Sequence, residues 1–398
     1  MRSVLFICWD GPQVYYLEGL FLPILKGLQE EYSFHVLQFT WGDEVRSSRI
    51  KEQCMAAGIG YTRYTITRKP SITTGTIWSL AKGIRLIRDY VRKNTPDIVM
   101  YRGTFPSFMG SRALRHNRSV RKVMDADGLP LEERVDFAGL NPRGLQYKFL
   151  KKNEGRAIGR SDAVLVRTFA TIDVLAPNSA IARKFHVVLN GRDSTFFVPP
   201  SREARRSMRA QLGVKEEELL LVYSGSLGPQ YCIPEMLTLF EALQRREGGA
   251  RFLVLSGNPE YLDKIAILPR LKERMIVRTA DFSQVPLYLG AADVGLAIRT
   301  PSHSMIGVSP VKLGEYLLSG LPVISSRRIG DTESFLSGQN AVYLLAGHGD
   351  GALQEAALWT EQVIGVPEIA GNARRIGLAH FSLEKSIESY REAFKHLL

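Results

Sequence analysis

A chain of 398 residues is longer than one hydrophobic core usually supports, so two domains are expected. Its 45% hydrophobic and 23% charged residues suit a core-forming globular protein, and no apolar run is long enough to span a bilayer. The formal charge of +12 lies wholly before residue 190, where 29 Lys and Arg face 17 Asp and Glu. With no recognised nucleic-acid motif or basic–aromatic interleaving, nucleic acid is not an expected partner.

Short apolar runs alternate with amphipathic segments of helical length, the pattern of parallel βαβ units. The opening Met-Arg-Ser-Val-Leu-Phe-Ile-Cys-Trp is cut short by Asp10 and lacks a small-residue cleavage site, so it reads as a first buried strand. Strands are expected near Val4–Cys8, Phe34–Phe39, Asp97–Tyr101, Arg121–Met124, Ala163–Val166 and His186–Leu189. Helices are expected at Gly19–Glu31, Thr76–Lys93 and Pro142–Ile158. Asn190 to Gly213, with Pro199-Pro200 and a basic run, reads as a hinge and leading helix. The pattern restarts with strands near Leu219–Tyr223, Phe252–Leu255, Met275–Arg278, Val294–Ala297 and Pro322–Ser325. A last helix is expected over about Leu383–Leu398. The basic excess gathers in Lys82 to Lys93, Arg112 to Lys122 and Lys148 to Arg160. It fits an anionic membrane surface or a merely soluble basic face. Cys8, Cys54 and Cys232, odd in number and widely spaced, read as reduced thiols rather than disulfides or a zinc site.

No Gly-x-Gly-x-x-Gly follows the first strand and no Walker-type loop occurs, which disfavours dehydrogenase and P-loop chemistry. Asp125-Ala-Asp127 has the form of a divalent-metal motif, but the Gly128-Leu-Pro130 that follows supports a loop. Asp10-Gly11-Pro12-Gln13 is either a ligand loop or a plain turn, and Arg102-Gly103 is a weaker candidate of the same kind. The densest signal is Ser309-Pro310-Val-Lys312-Leu-Gly-Glu315-Tyr316-Leu-Leu-Ser-Gly320-Leu-Pro322-Val-Ile. Pro310 suits a helix start, and Lys312 and Glu315 then share one face near its N-terminus. Oriented N–H groups and a cation there favour phosphate, and a carboxylate one turn on suits a ribose diol. The bland alternative is an ordinary helix cap with an exposed Lys–Glu pair.

That segment resembles the donor-site helix of the GT-B glycosyltransferases, in particular the retaining family 4, and the resemblance runs along most of the chain. Val222-Tyr-Ser-Gly-Ser-Leu-Gly228 resembles that family's glycine loop, and Phe252-Leu-Val-Leu-Ser-Gly257-Asn-Pro259 its second C-terminal strand and turn. Val285-Pro-Leu-Tyr-Leu-Gly-Ala-Ala-Asp293-Val-Gly295 resembles the helix and strand before the donor site. Leu189-Asn-Gly-Arg-Asp193-Ser-Thr-Phe196 resembles the hinge. Many members carry two glutamates eight positions apart; here Glu315 matches the second and Gly307 replaces the first. This places the chain with the subgroup having a Ser-Pro-x-Lys-x-x-Glu-Tyr signature, often found in bacterial surface-polysaccharide clusters.

The resemblance implies an α/β GT-B fold, two Rossmann-like domains whose parallel sheets face a deep cleft. The expected boundaries are 1–190 for an acceptor-binding domain, 191–382 for a nucleotide-sugar domain, and 383–398 for a helix crossing back to the first. It implies a retaining, metal-independent hexosyl- or N-acetylhexosaminyl-transferase using a UDP- or GDP-sugar. The acceptor would be a glycan or polyprenyl-linked glycan, and the enzyme cytoplasmic, peripheral at the inner face of the cytoplasmic membrane. Arg299 and Lys312 would stabilise the departing diphosphate. Gly225, Ser226, Gly228, Ser309 and Glu315 would hold the donor, and Gly11, Gln13, Asp125 and Asp127 would face the acceptor or cleft. His303 is read as incidental. The rivals are a sugar-nucleotide epimerase of the same architecture and a non-catalytic relative.

Overall fold

The computed structural model describes residues 1–11, 15–42, 44–245 and 249–397. The chain divides into two compact units, Met1–Leu189 with Ser386–Leu398, and Asn190–Lys385.

In the first unit, the described strands are β1 (Arg2–Asp10), β2 (Tyr32–Thr40), β3 (Gly60–Thr65), β4 (Ile98–Arg102), β5 (Arg121–Asp127), β6 (Ala163–Val166) and β7 (Phe185–Val187). They form one sheet in the order β3-β2-β1-β4-β5-β6-β7, with every neighbouring pair parallel. The central strands are near-continuous apolar runs because helices cover both faces of such a sheet. β3 was not expected from the sequence. Its Gly-Tyr-Thr-Arg-Tyr-Thr lies at the sheet edge, where partial exposure removes the apolar signal. Asp125 and Asp127 were expected in a loop; instead they end β5, with Asp127 in the left-handed region at φ 69°.

The second unit repeats the plan with β8 (Leu219–Ser224), β9 (Ala250–Leu255), β10 (Met275–Arg278), β11 (Val294–Ala297), β12 (Val323–Ser326) and β13 (Val342–Leu345). Their order is β10-β9-β8-β11-β12-β13, again parallel throughout. All six residues of β8 are buried. β13, only four residues long, had escaped the sequence reading.

In each sheet the strand order reverses beside its first strand, between β1 and β4 and between β8 and β11. Open α/β sheets bind ligands outside the carboxyl ends of the strands at such switch points. In the first unit that place falls beside Asp10 and Arg102, and in the second beside Ser224 and Ala297.

Candidate functional site

At the switch point of the second unit three segments converge. β8 runs into Gly225, whose φ of +133° a side chain would rarely adopt. A Cβ placed there would also lie 3.3 Å from Lys312 Nζ, so the missing side chain leaves room for the ammonium. β11 delivers Arg299, whose backbone N–H is held by Ser326 Oγ at 3.0 Å. The third segment is the helix Val311–Leu318, with Pro310 as its N-cap residue and Ser309 just before it.

Lys312 and Glu315 are both only 9% exposed, which rules out the surface ion pair of the bland reading. Lys312 Nζ has no hydrogen-bond partner among the described residues. It sits 3.8 Å from the centre of the Tyr223 ring and 4.7 Å from that of Tyr231. The Arg299 guanidinium lies 4.8 Å from the same Tyr231 ring. Aromatic faces attract cations but do not neutralise them. Burial pushes the Lys312 ammonium well below its ordinary pKa, and Arg299 adds to this by repulsion against a smaller opposing pull from Glu315. Two cations share an aromatic recess, and the buried one lacks a hydrogen-bonding anion. Such a recess can receive negative charge.

Glu315 is held by Arg192, Nε to Oε1 at 2.9 Å. Arg192 is in turn fixed by its backbone. Its N–H donates to Phe381 O at 2.8 Å, and its own carbonyl accepts from Leu383 N–H at 2.8 Å. Gly191 permits this approach, since a Cβ there would lie 2.1 Å from Ser382 O. Ser226 is exposed on the glycine loop and its carbonyl accepts from Tyr223 Oη. Gly228 has an extended φ of 176° and needs no special conformational freedom. Gly307 is buried at the end of the short helix Ser304–Gly307, and His303 is exposed beside it.

The first unit's switch point is occupied by its own ion pairs. Asp125 is fully buried. Its Oδ2 accepts from Arg167 Nη2 at 2.8 Å, and its Oδ1 from the Asp127 N–H at 3.0 Å. Asp127 accepts from Arg102 Nη2 at 2.6 Å and lies 3.5 Å from Arg167 Nε. Burial opposes ionisation of Asp127, but Arg102 and Arg167 outweigh it and hold its carboxyl below the usual value. Asp125 is therefore an interior structural group rather than an open acceptor contact, and Asp127 keeps only a partly exposed edge. Gly11 follows β1, and its carbonyl accepts from Arg46 Nη1 at 3.2 Å. Gln13 lies outside the described residues.

Four residues of these sites went unseen in the sequence: Tyr231, Arg192, Arg167 and, as a partner of Asp127, Arg102. The first three lie far from the motif they serve, and single Tyr or Arg residues carry no spacing signal. Arg192 stood inside the hinge segment, but nothing local connects it with Glu315, 123 positions on.

No protein-family model matches the chain, and neither does any curated protein. Among solved structures it is similar to HepE from Anabaena in complex with UDP and glucose. That match has a TM-score of 0.71 at 17% identity and covers 99% of this chain and 100% of HepE. WaaG, a glycosyltransferase involved in lipopolysaccharide biosynthesis, aligns with a TM-score of 0.70 at 14% identity over 98% of each chain. The N-terminal domain of trehalose-6-phosphate phosphatase from Candida albicans aligns equally well, TM-score 0.70 at 13% identity, over 100% of this chain and 97% of that one. At such identities the likeness speaks to architecture. With its paired parallel sheets, the chain has the GT-B glycosyltransferase fold.

Proposed function

We propose that this protein is a retaining glycosyltransferase that moves a hexosyl or N-acetylhexosaminyl group from a UDP- or GDP-sugar to a glycan or polyprenyl-linked acceptor in bacterial surface-polysaccharide synthesis. The observation that carries the reading is the buried Lys312 ammonium, lacking a hydrogen-bonding anion beside Arg299, at the switch point of the second sheet. A diphosphate there would meet Lys312, Arg299, the backbone of Gly225 and the first N–H groups of the Val311–Leu318 helix. As the sugar–phosphate bond breaks, negative charge grows on the leaving diphosphate, and these groups are aimed where it develops. The acceptor hydroxyl transfers its proton to the departing phosphate oxygen on the same face. No protein nucleophile enters that step, and none is required by the residues around Lys312. UDP and UDP-glucose bound to HepE support a uridine nucleotide as the first donor to try.

The same electrostatics supports metal independence. Turnover of UDP-glucose in excess EDTA is expected to match turnover with Mg²⁺ or Mn²⁺ present. Activity that returns only with either ion would transfer the neutralising role from Lys312 and Arg299 to a bound cation. Release of UDP with glycan product, rather than an altered nucleotide sugar, separates transfer from epimerisation.

Glu315 is proposed to accept the ribose hydroxyls, presented by Arg192. Glu315→Ala should then weaken UDP binding by about 2–4 kcal/mol, for the loss of two charge-assisted hydrogen bonds. Calorimetry reads this directly, and an unchanged affinity removes Glu315 from the site.

Docking on an anionic membrane is proposed for the first unit. A basin of about 830 Å³ is lined by Arg88, Arg112, Arg115, His116, Arg156 and Arg160 with no carboxylate among them. The burial and mutual repulsion of these groups lower the pKa of Arg112. Along the same helices lies an apolar groove of about 320 Å³, lined in part by Ile72, Ile77, Phe105, Phe108 and Phe149. Trp78, 74% exposed, stands nearby on the Ile72–Asn94 helix. Each basic side chain near such a surface contributes about 1 kcal/mol. Binding to phosphatidylserine vesicles should fall steeply with salt and with Arg88→Glu, Arg115→Glu and Arg156→Glu combined. Equal flotation with neutral vesicles would defeat the electrostatic account. No described helix is long and apolar enough to cross a membrane.

A further inference from the structure

We propose that Cys232, Glu235 and His348 form a Zn²⁺ site on the second unit, separate from the groups assigned to the donor. One ligand atom from each of the three lies within 4.8 Å of the other two. The sequence reading had favoured reduced thiols over disulfides or a zinc site, and all three cysteines are free and buried; the zinc site proposed here departs from that reading at Cys232. Among the described residues, only Cys232 is brought against an imidazole and a carboxylate at once.

The geometry is specific. Cys232 caps the helix Ile233–Leu243, and Glu235 lies in its first turn, so both side chains issue from one helical end. Cys232 itself adopts the left-handed conformation at φ 43°, a costly choice for a side-chain-bearing residue. His348 follows β13 in the loop before the helix Asp350–Val363. Its Nδ1 lies 3.6 Å from Cys232 Sγ. A tetrahedral ion with Zn–S of about 2.3 Å and Zn–N of about 2.0 Å separates two such atoms by roughly 3.5 Å.

The outer contacts suit the same role. His348 Nε2 lies 3.0 Å from Ser326 Oγ, the oxygen that also accepts the Arg299 N–H. A hydroxyl oxygen has two lone pairs, so it can accept from Nε2–H as well. In that tautomer the Nδ1 lone pair faces the sulfur, as a metal-bound imidazole needs. Thr300 Oγ1 lies 3.2 Å from Sγ. One thiolate, one imidazole and one carboxylate select a borderline ion such as Zn²⁺ over Mg²⁺ or Ca²⁺, which prefer all-oxygen shells. Cys232 is buried, but Glu235 and His348 are only partly so, which leaves an approach route and room for water as fourth ligand. On binding, the ion displaces the thiol proton to solvent and takes the sulfur lone pair.

The site also touches the proposed donor recess without belonging to it. Cys232 adjoins Tyr231, whose ring faces both cations, and Thr300 adjoins Arg299. An ion joining Cys232 to His348 would tie the Pro229–Tyr231 turn to β12 through Ser326.

Metal binding to the intact, chelator-stripped chain tests this without reference to turnover. Titration with Co²⁺ should give a thiolate-to-metal charge-transfer band that saturates at one equivalent and is abolished by competing Zn²⁺. The band should vanish in Cys232→Ser and persist in Cys54→Ser. His348→Gln should weaken Zn²⁺ binding by at least the roughly 10–100-fold that loss of an outer-shell partner costs. Circular dichroism confirms that each variant is folded; should Cys232→Ser fail to fold, the His348→Gln shift decides the matter. No band in the wild type, a band surviving Cys232→Ser, or equal Zn²⁺ affinity in wild type and His348→Gln would overturn the proposal.

Discussion

Replacing Lys312 by Met is expected to weaken UDP binding by about 1.5–3 kcal/mol, roughly ten- to a hundredfold, while raising the melting temperature of the free protein. The two effects have one cause. In the free chain the ammonium is buried against Tyr223, Tyr231 and Arg299, and its pKa lies well below the ordinary value. Between that depressed pKa and about 10.4, the unfolded chain holds more protons than the folded one. Stability of the free protein therefore rises with pH across that window, and Lys312→Met, which carries no charge to desolvate, abolishes the rise. An arriving diphosphate reverses the balance by stabilising the charged form. UDP binding should accordingly take up a proton in the wild type, and affinity should fall as pH rises through the bound-state pKa. Calorimetry in buffers of different ionisation enthalpy measures the uptake. Equal proton uptake in wild type and Lys312→Met would show that another group meets the phosphates.

Asp125→Ala is expected to destabilise the first unit by about 3–5 kcal/mol, because it leaves a buried guanidinium without its carboxylate. Arg167 is 3% exposed, and Asp125 is the carboxylate closest to it. Asp127 would then face both Arg102 and Arg167. Removing the charges together, with Arg167→Met added to Asp125→Ala, should cost less than the single change, since no isolated charge remains. Denaturant unfolding of the three proteins decides this. A double variant less stable than Asp125→Ala would mean that the pair stabilises by more than mutual neutralisation. The pH dependence follows from Asp127, whose folded pKa is depressed. Its contribution is present above the unfolded carboxyl pKa of about 3.9 and is lost as pH falls through the lower folded value.

Much of this architecture is legible in the sequence because parallel strands buried on both faces must be short and apolar. Ala163–Val166 and Val294–Ala297 stand out for that reason, and their bounds coincide with the strands formed. β3 is hidden because an edge strand keeps polar residues. The donor-like segment is legible for a different reason. The Lys-x-x-Glu helix start is a single short stretch whose spacing puts both side chains on one face, and its resemblance to a known donor helix supplies the rest of the reading. What spacing does not contain is charge balance. Lys312 and Glu315 look like a pair on one helical face, yet Glu315 turns to Arg192 and leaves Lys312 to two tyrosines. Asp125-Ala-Asp127 looks like a metal motif, yet Arg102 and Arg167 arrive from two other strand ends to neutralise it. Cys232 and His348, 116 positions apart, carry no joint signal at all. Local sequence determined the strands, the glycine loop and the helix start, because those depend on neighbours along the chain. Only the tertiary structure decided which charges are paired and which, at Lys312, has no hydrogen-bond partner among the described residues, because burial and Coulomb energy depend on distance in space.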